Sequence, residues 1–408
     1  MIEVSSDTAR GFILDIQGLR TSKPSKSVMS VAKRIHNIQI DTISVVSRSH
    51  NLINLNRFED YKEGDVWKHQ KQGKLFEYWS HSACLLPMET YPFYVWRRSF
   101  YPEELWVSFR KWGKENKDII EQVYKKVKEE GVTNSASVGE RKTRSGGWWD
   151  WKIEKRALEY LYTTGRLMVA YRKNFQKQYD LVERVLPAGV SSEALSNDEA
   201  AEFVVDTTLK SLGLASQQDI RTYLGRLPAR KLWNGRKVEV ESYLDEMVHE
   251  GKIEEVSIED VKNRYFVLRR NRRRLTSSLS TPEDCPVKIL SPFDNIIRER
   301  HYPAELWNFD YNIECYVPKP KRVYGYFVLP ILDGFDFAGR LDAKVHRKSG
   351  LLEIKSLYLE NETIKSQEGR ERLKSGILDF AHFHSCDEVK IGKVSPGSST
   401  SQVRTLFN

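Results

Sequence analysis

The sequence predicts an α+β protein of three tandem winged helix-turn-helix modules followed by a C-terminal β-barrel-like domain. Three observations carry that expectation. A helical pattern ends three times in a glycine, a basic residue and an aliphatic residue (Gly73-Lys74-Leu75, Gly165-Arg166-Leu167 and Gly251-Lys252-Ile253), and each time runs into strand-like residues. The three glycines lie 92 and 86 residues apart, a spacing that suits repeated modules joined by linkers. After about residue 284 the apolar period changes from helical to strand-like.

In the first module, residues 1–110, Asp41 of Ile38-Gln39-Ile40-Asp41 precedes an apolar run that reads as a helix, whose first amide groups its carboxylate would cap. Gln39 falls on the same side of an extended segment, so a catalytic pair and a structural cap are both open readings. Arg48 and His50 follow on the same expected helix, where they can meet phosphate or simply water. The hairpin expected after Gly73 is loose, because LFEYWSHSACLLP continues into a Pro-bearing aromatic segment.

The second module, 111–192, reads as a helix over Ala157–Tyr162, a strand over Leu167–Tyr171, a basic turn over Arg172–Gln178 and a return strand over Tyr179–Val182. Trp148 and Trp149, after Gly146-Gly147, can stack on a base or fill a core. In the third module, 193–284, Ser216 and Asp219 suggest a capping box before a short helix, followed by a helix over Val240–His249 and strands Ile253–Val256 and Tyr265–Leu268. The run Lys262–Arg274 places Arg269, Arg270, Arg272 and Arg273 just after the last strand, as phosphate contacts or as a solvated loop. In 285–408, Tyr324–Pro330, Phe337–Val345 and Leu351–Leu357 read as strands, with a turn at Arg347–Gly350 and a helix over Gly369–His384. Leu341, Ala343 and Val345 face one way; Arg340, Asp342, Lys344 and His346 face the other, where Arg340 and Lys344 can meet phosphate.

Composition bounds the function. With 408 residues, 40% apolar, 11% aromatic and 10 Trp, the chain is too apolar for disorder. A mean hydropathy of −0.56, with no apolar run of about 18 residues, argues against membrane spans. The start MIEVSSDTAR lacks a signal-peptide pattern, so a cytoplasmic protein is expected. Four scattered cysteines without a CxxC pair fit free thiols. Lys plus Arg number 65 against 56 Asp plus Glu, a net +9 that suits a phosphate-bearing partner and equally suits plain solubility. No P-loop or GxGxxG is present, and His382-Phe-His384-Ser-Cys386 has no fourth ligand nearby, so neither a nucleotide cofactor nor a metal is expected.

Several blocks together carry a resemblance: QIDTISVVSRSHNL, FEYWSHSACLLP, GGWWDWK, QYDLVERVLP, LSPFDNII, YVPKPKRVYGYFVLP and AGRLDAKVHRKSG. In this order, from roughly residue 10 to 395, they resemble the winged-helix AlkZ/AlkX (YcaQ-like) DNA glycosylases, and Gln39-Ile40-Asp41 looks like the Gln-x-Asp branch. The resemblance implies excision of alkylated purines from double-stranded DNA, with crosslink unhooking in some members. It implies Asp41 and Gln39 as catalytic residues and His81 facing DNA near the lesion, where a structural histidine in the aromatic cluster is the other open reading; Asp294 of the SPFD block is typical of the family, and its residue type suits fixing a turn. An N7-alkylguanine is already cationic, so a carboxylate that stabilises the sugar cation and accepts a proton from water would suffice. No lysine in the motif offers a Schiff base, so a monofunctional enzyme is expected, and because three modules need no partner to surround a duplex, a monomer. A non-catalytic tandem winged-helix DNA reader is the competing reading; a carboxylate aimed at phosphates would be out of place in it.

Overall fold

The structure, a computed structural model, describes residues 1–20, 24–137, 148–228, 232–233, 240–277, 285–360 and 366–407. Contacts divide the chain into two units: residues 1–61, 208–219 and 246–408 form one, and 62–207 with 220–245 form the other. These units cut across the linear module boundaries drawn from the sequence.

The three glycines do what the sequence expects of them. Gly73, Gly165 and Gly251 have φ of +68°, +78° and +70°. Each closes a helix by the same pair of backbone bonds: Gly73 donates to Gln70 O and Lys74 to His69 O, Gly165 to Tyr162 O and Arg166 to Leu161 O, Gly251 to Val248 O and Lys252 to Met247 O. Such closures satisfy carbonyls that a helix end leaves bare, and a side chain at the left-handed position would cost about 1–2 kcal/mol. A hairpin follows every time: Leu75–Trp79 with Ala83–Pro87, Leu167–Lys173 with Gln176–Leu181, and Ile253–Ile258 with Tyr265–Leu268.

Two local expectations change. The first hairpin is regular, with Tyr78 opposite Cys84 and Leu75 opposite Pro87; the proline sits at the strand end, where its missing N–H costs little. The second turns over only Asn174 and Phe175, both with positive φ, so Arg172 and Lys177 are ladder partners instead of turn residues.

In the first unit, the third hairpin is extended on both sides. The N-terminal strand Ile2–Val4 lies parallel to Ile253–Ile258, and Ala215–Ser216 pairs antiparallel with Tyr265–Leu268. Ser216 and Asp219 form the expected capping box: Ser216 N and Oγ donate to Asp219 at 2.8 and 2.7 Å.

The C-terminal strands form a five-stranded sheet in the order Lys288–Ile289, Val328–Asp333, Asp336–His346, Leu351–Leu359, Glu388–Ser395. Among the described residues this sheet is open, with two edge strands, the half-barrel form of the barrel-like domain the sequence suggested. Its last pair is parallel, and the helix Gln367–Phe383 makes the crossover that a parallel pair needs. That helix starts at Ser366, whose hydroxyl accepts from Gly369 N at 2.9 Å, and contributes Leu373, Ile377 and Phe380 to the same buried core as Ile331, Leu341 and Ile354 of the sheet. Residues Tyr324–Phe327, expected in a strand, stay irregular because Glu314 and Asp342 accept their amide groups in place of a neighbouring strand.

Candidate active site

The segment 36–48 is irregular apart from one short strand, and its two ends are built into the first unit. Upstream, the helix Val28–Ile35 stops at His36, whose φ of +56° breaks the run. Its imidazole is buried, and burial followed by the charge of Lys210 pushes it down to about 3, so it stays neutral. A two-residue strand, Ile38–Gln39, follows. Downstream, Val46 and Leu52 sit in the core of the C-terminal sheet, Val345 N donates to Val45 O at 3.2 Å, and Arg347 Nη2 donates to Val46 O at 2.6 Å.

Asp41 lies in this segment, half-buried. The sequence expects it to cap a helix, but no helix starts until Ser49. Ile43, Val45 and Val46 are β-branched and poor helix formers, and the carbonyl groups of Val45 and Val46 are taken by Val345 and Arg347 and not by a helix. Asp41 closes a tight turn instead, its Oδ1 accepting from Ile43 N at 2.6 Å. Burial raises its carboxyl above the ordinary aspartate value, and the Ile43 amide and the Arg48 charge offset only part of that rise. Gln39 is 6% exposed, so the motif pairs a buried amide with a carboxylate that reaches solvent.

The block Ser291–Asn295 supports the segment from below. Asp294 fixes a turn as expected, with Ile297 N and Arg298 N donating to its carbonyl at 2.9 and 2.8 Å. The sequence does not reveal its second role. Both carboxylate oxygens grip Arg57, at 2.7 and 2.8 Å, and both side chains are fully buried. Asn295 Nδ2 donates to Ile35 O at 3.1 Å, and Ser291 Oγ to Ser49 Oγ at 3.0 Å. Together these bonds tie both flanks of the Asp41 turn to a single buried block.

The other expected site residues separate into exposed and buried groups. Arg48 is half-buried and precedes the helix Ser49–Leu55, while His50 within it is 2% exposed and so is not placed to meet phosphate. Arg269, Arg270, Arg272 and Arg273 are exposed on a short helical segment after Tyr265–Leu268; Arg272 pairs with Glu254 at 3.1 Å and Arg269 with the same carboxylate at 3.8 Å. Lys344 is exposed. Arg340 is corrected: at 2% exposure it pairs with Glu360 at 2.5 Å, donates to Asp310 O at 2.9 Å and lies 4.4 Å from the centroids of Phe309 and Tyr324. Strand alternation alone put it on an outer face; residues 309–324 cover that face.

The second unit holds the remaining two. His81 is half-buried in the Ser80–Ser82 tip of the first hairpin, its Nδ1 3.8 Å from Cys84 Sγ. Trp148 begins the helix Trp148–Thr163, and its side chain lies outside the described residues. Among the described residues no cluster of three His, Cys, Asp or Glu side chains is arranged for a metal ion, and no helix is long and apolar enough to cross a membrane.

Comparison with known proteins adds two findings. The model of a family described as DNA glycosylase AlkZ-like matches residues 32–382. Among solved structures, the DNA glycosylase AlkZ of Streptomyces sahachiroi is similar, with a TM-score of 0.65 and 15% identity over 96% of this chain and 100% of that one. At that identity the likeness speaks for the fold.

Proposed function

We propose, from the premise that this chain belongs to the AlkZ-like DNA glycosylase family and is a DNA glycosylase acting on DNA, that it excises N7-alkylated purines with Asp41 and Gln39 as its catalytic residues. The observation that supports this reading is the state of Asp41: a half-buried carboxylate, held in a tight turn by the Ile43 amide, with its proton affinity raised by burial. An incompletely compensated carboxylate attracts positive charge and accepts a proton more readily than one in water.

Alkylation at N7 makes guanine a cation. As the N-glycosidic bond lengthens, its electrons pass to the base, which departs neutral, and positive charge develops on the deoxyribose. Asp41 stabilises that charge. Water then attacks the anomeric carbon, Asp41 takes its proton, and an abasic site remains. The amide of Gln39 donates to and accepts from that water. The same sequence of steps on a base tethered to the opposite strand releases an interstrand crosslink.

No lysine lies in the motif, and Lys288, pulled down to about 8 by burial, donates its ammonium to Asn56 O at 2.8 Å. Hydrolysis without a Schiff base therefore fits best, by a monomer acting in the cytoplasm. The test is release of 7-methylguanine from a defined duplex. Asp41→Asn is expected to slow it by about 10²- to 10⁴-fold, the range of a lost general base, with no complex trapped by borohydride in either protein. Release at the wild-type rate from the variant would sink the assignment.

A further inference from the structure

Residues 314–325 form a loop that is closed at its neck and loaded at its tip. Glu314 accepts from Val323 N, Tyr324 N and Gly325 N at 2.9, 2.8 and 2.9 Å, and Arg322 Nε donates to Val317 O at 2.8 Å. Burial would raise the Glu314 carboxyl, but the three amide groups outweigh it and hold it below its ordinary value. Between these clamps stand Tyr316, 79% exposed, and Lys319 and Lys321 on a single exposed 3-10 turn. The loop thus presents an aromatic ring and two ammonium groups to solvent from a backbone clamped at its neck.

The loop also lies next to the Asp41 turn. Ile313 and Tyr326 at its two ends pack on the same core as Ile43 and Val45, and both segments bond to the strand Asp336–His346, through Asp342 and Val345. Electrostatics agree. Burial, then the Asp41 charge, raise the Cys315 thiol, and partial desolvation, then Cys315 and Asp41, raise the Tyr316 phenol.

We infer that this loop is the DNA-entering element of the site: Tyr316 stacks on a nucleobase at the lesion while Lys319 and Lys321 hold the flanking phosphates. The inference rests on the Asp41 reading for its location. A phenol face accepts any base without sequence preference, and two ammonium groups on flexible stems above a clamped backbone can track a phosphate backbone without reading it. The loop would thus give the enzyme a grip on damaged DNA that tolerates different adducts.

The test uses the full chain and a duplex with a tetrahydrofuran abasic analogue flanked by 2-aminopurine, so that no bond is cleaved. Wild type and Tyr316→Phe should give the same emission at saturation, whereas Tyr316→Ala should change it and bind about tenfold more weakly, as expected when one base loses its stacking partner. Lys319→Ala with Lys321→Ala should flatten the dependence of log K on log salt by about 1.8, or about 0.9 for each phosphate that is no longer neutralised. Wild-type emission and affinity in Tyr316→Ala, or an unchanged salt slope in the double variant, would overturn the inference. Because the readout is binding, an active Asp41→Asn protein would refute the catalytic assignment while leaving this result to stand separately.

Discussion

Two carboxylates, Glu77 in one compact unit and Asp41 in the other, meet burial in opposite ways. Glu77 points from the strand Leu75–Trp79 with a fully buried side chain, and Arg172 grips both of its oxygens at 2.6 and 2.7 Å while Lys177 stands 3.9 Å away. Asp41 accepts an amide of its own turn and feels the charge of Arg48, yet burial still prevails and its carboxyl is raised. Compensated charge holds a fold together; under-compensated charge is available for chemistry.

The largest effect should come from breaking the compensated case. Glu77→Gln leaves the Arg172 guanidinium buried without its counter-charge, and urea denaturation should show a loss of about 3–5 kcal/mol. In the same assay Asp41→Asn should not destabilise at neutral pH. A carboxyl whose folded pKa is raised loses stability as pH climbs from its unfolded value through its folded one, and asparagine removes that loss. Equal destabilisation by the two variants would erase the contrast.

A smaller effect concerns pH. The acid limb of kcat should lie above the range of an ordinary aspartate, because the proposed mechanism needs Asp41 ionised and activity would fall as pH drops through its raised value. A limb at or below the ordinary range under saturating DNA would contradict the electrostatic picture. Smallest of all, Arg48→Gln removes a charge that lowers the Asp41 pKa, so it should move that limb to higher pH. A limb that stays in place would take Arg48 out of the site.

Much of the framework was legible in the sequence for a local reason. Gly73, Gly165 and Gly251 close helices through bonds spanning five residues or fewer, so a short window contains all the information. The Asp41 turn was not, because its shape depends on Val345 and Arg347, some 300 positions away in the chain. Arg57 and Asp294 escaped for the same reason: each looks like an ordinary surface charge until the fold buries them together. Arg340 misled in the opposite sense, since alternation tells which side of a strand a residue takes but not what covers that side. Tyr316 stood in a recognised block, YVPKPKRVYGYFVLP, but only the observed exposure separates it from the aromatic residues around it.

The parallel pairing of Ile2–Val4 with Val256–Ile258 bears on synthesis. At about 5–20 residues per second, a ribosome needs roughly 10–50 s between making Ile2 and making its partner Val256. Asp294, Val345 and Arg347, which brace the Asp41 turn, are translated later still. The nascent chain thus carries Asp41 long before the residues that shape its turn, so the turn should be assembled only after Arg347 has been made.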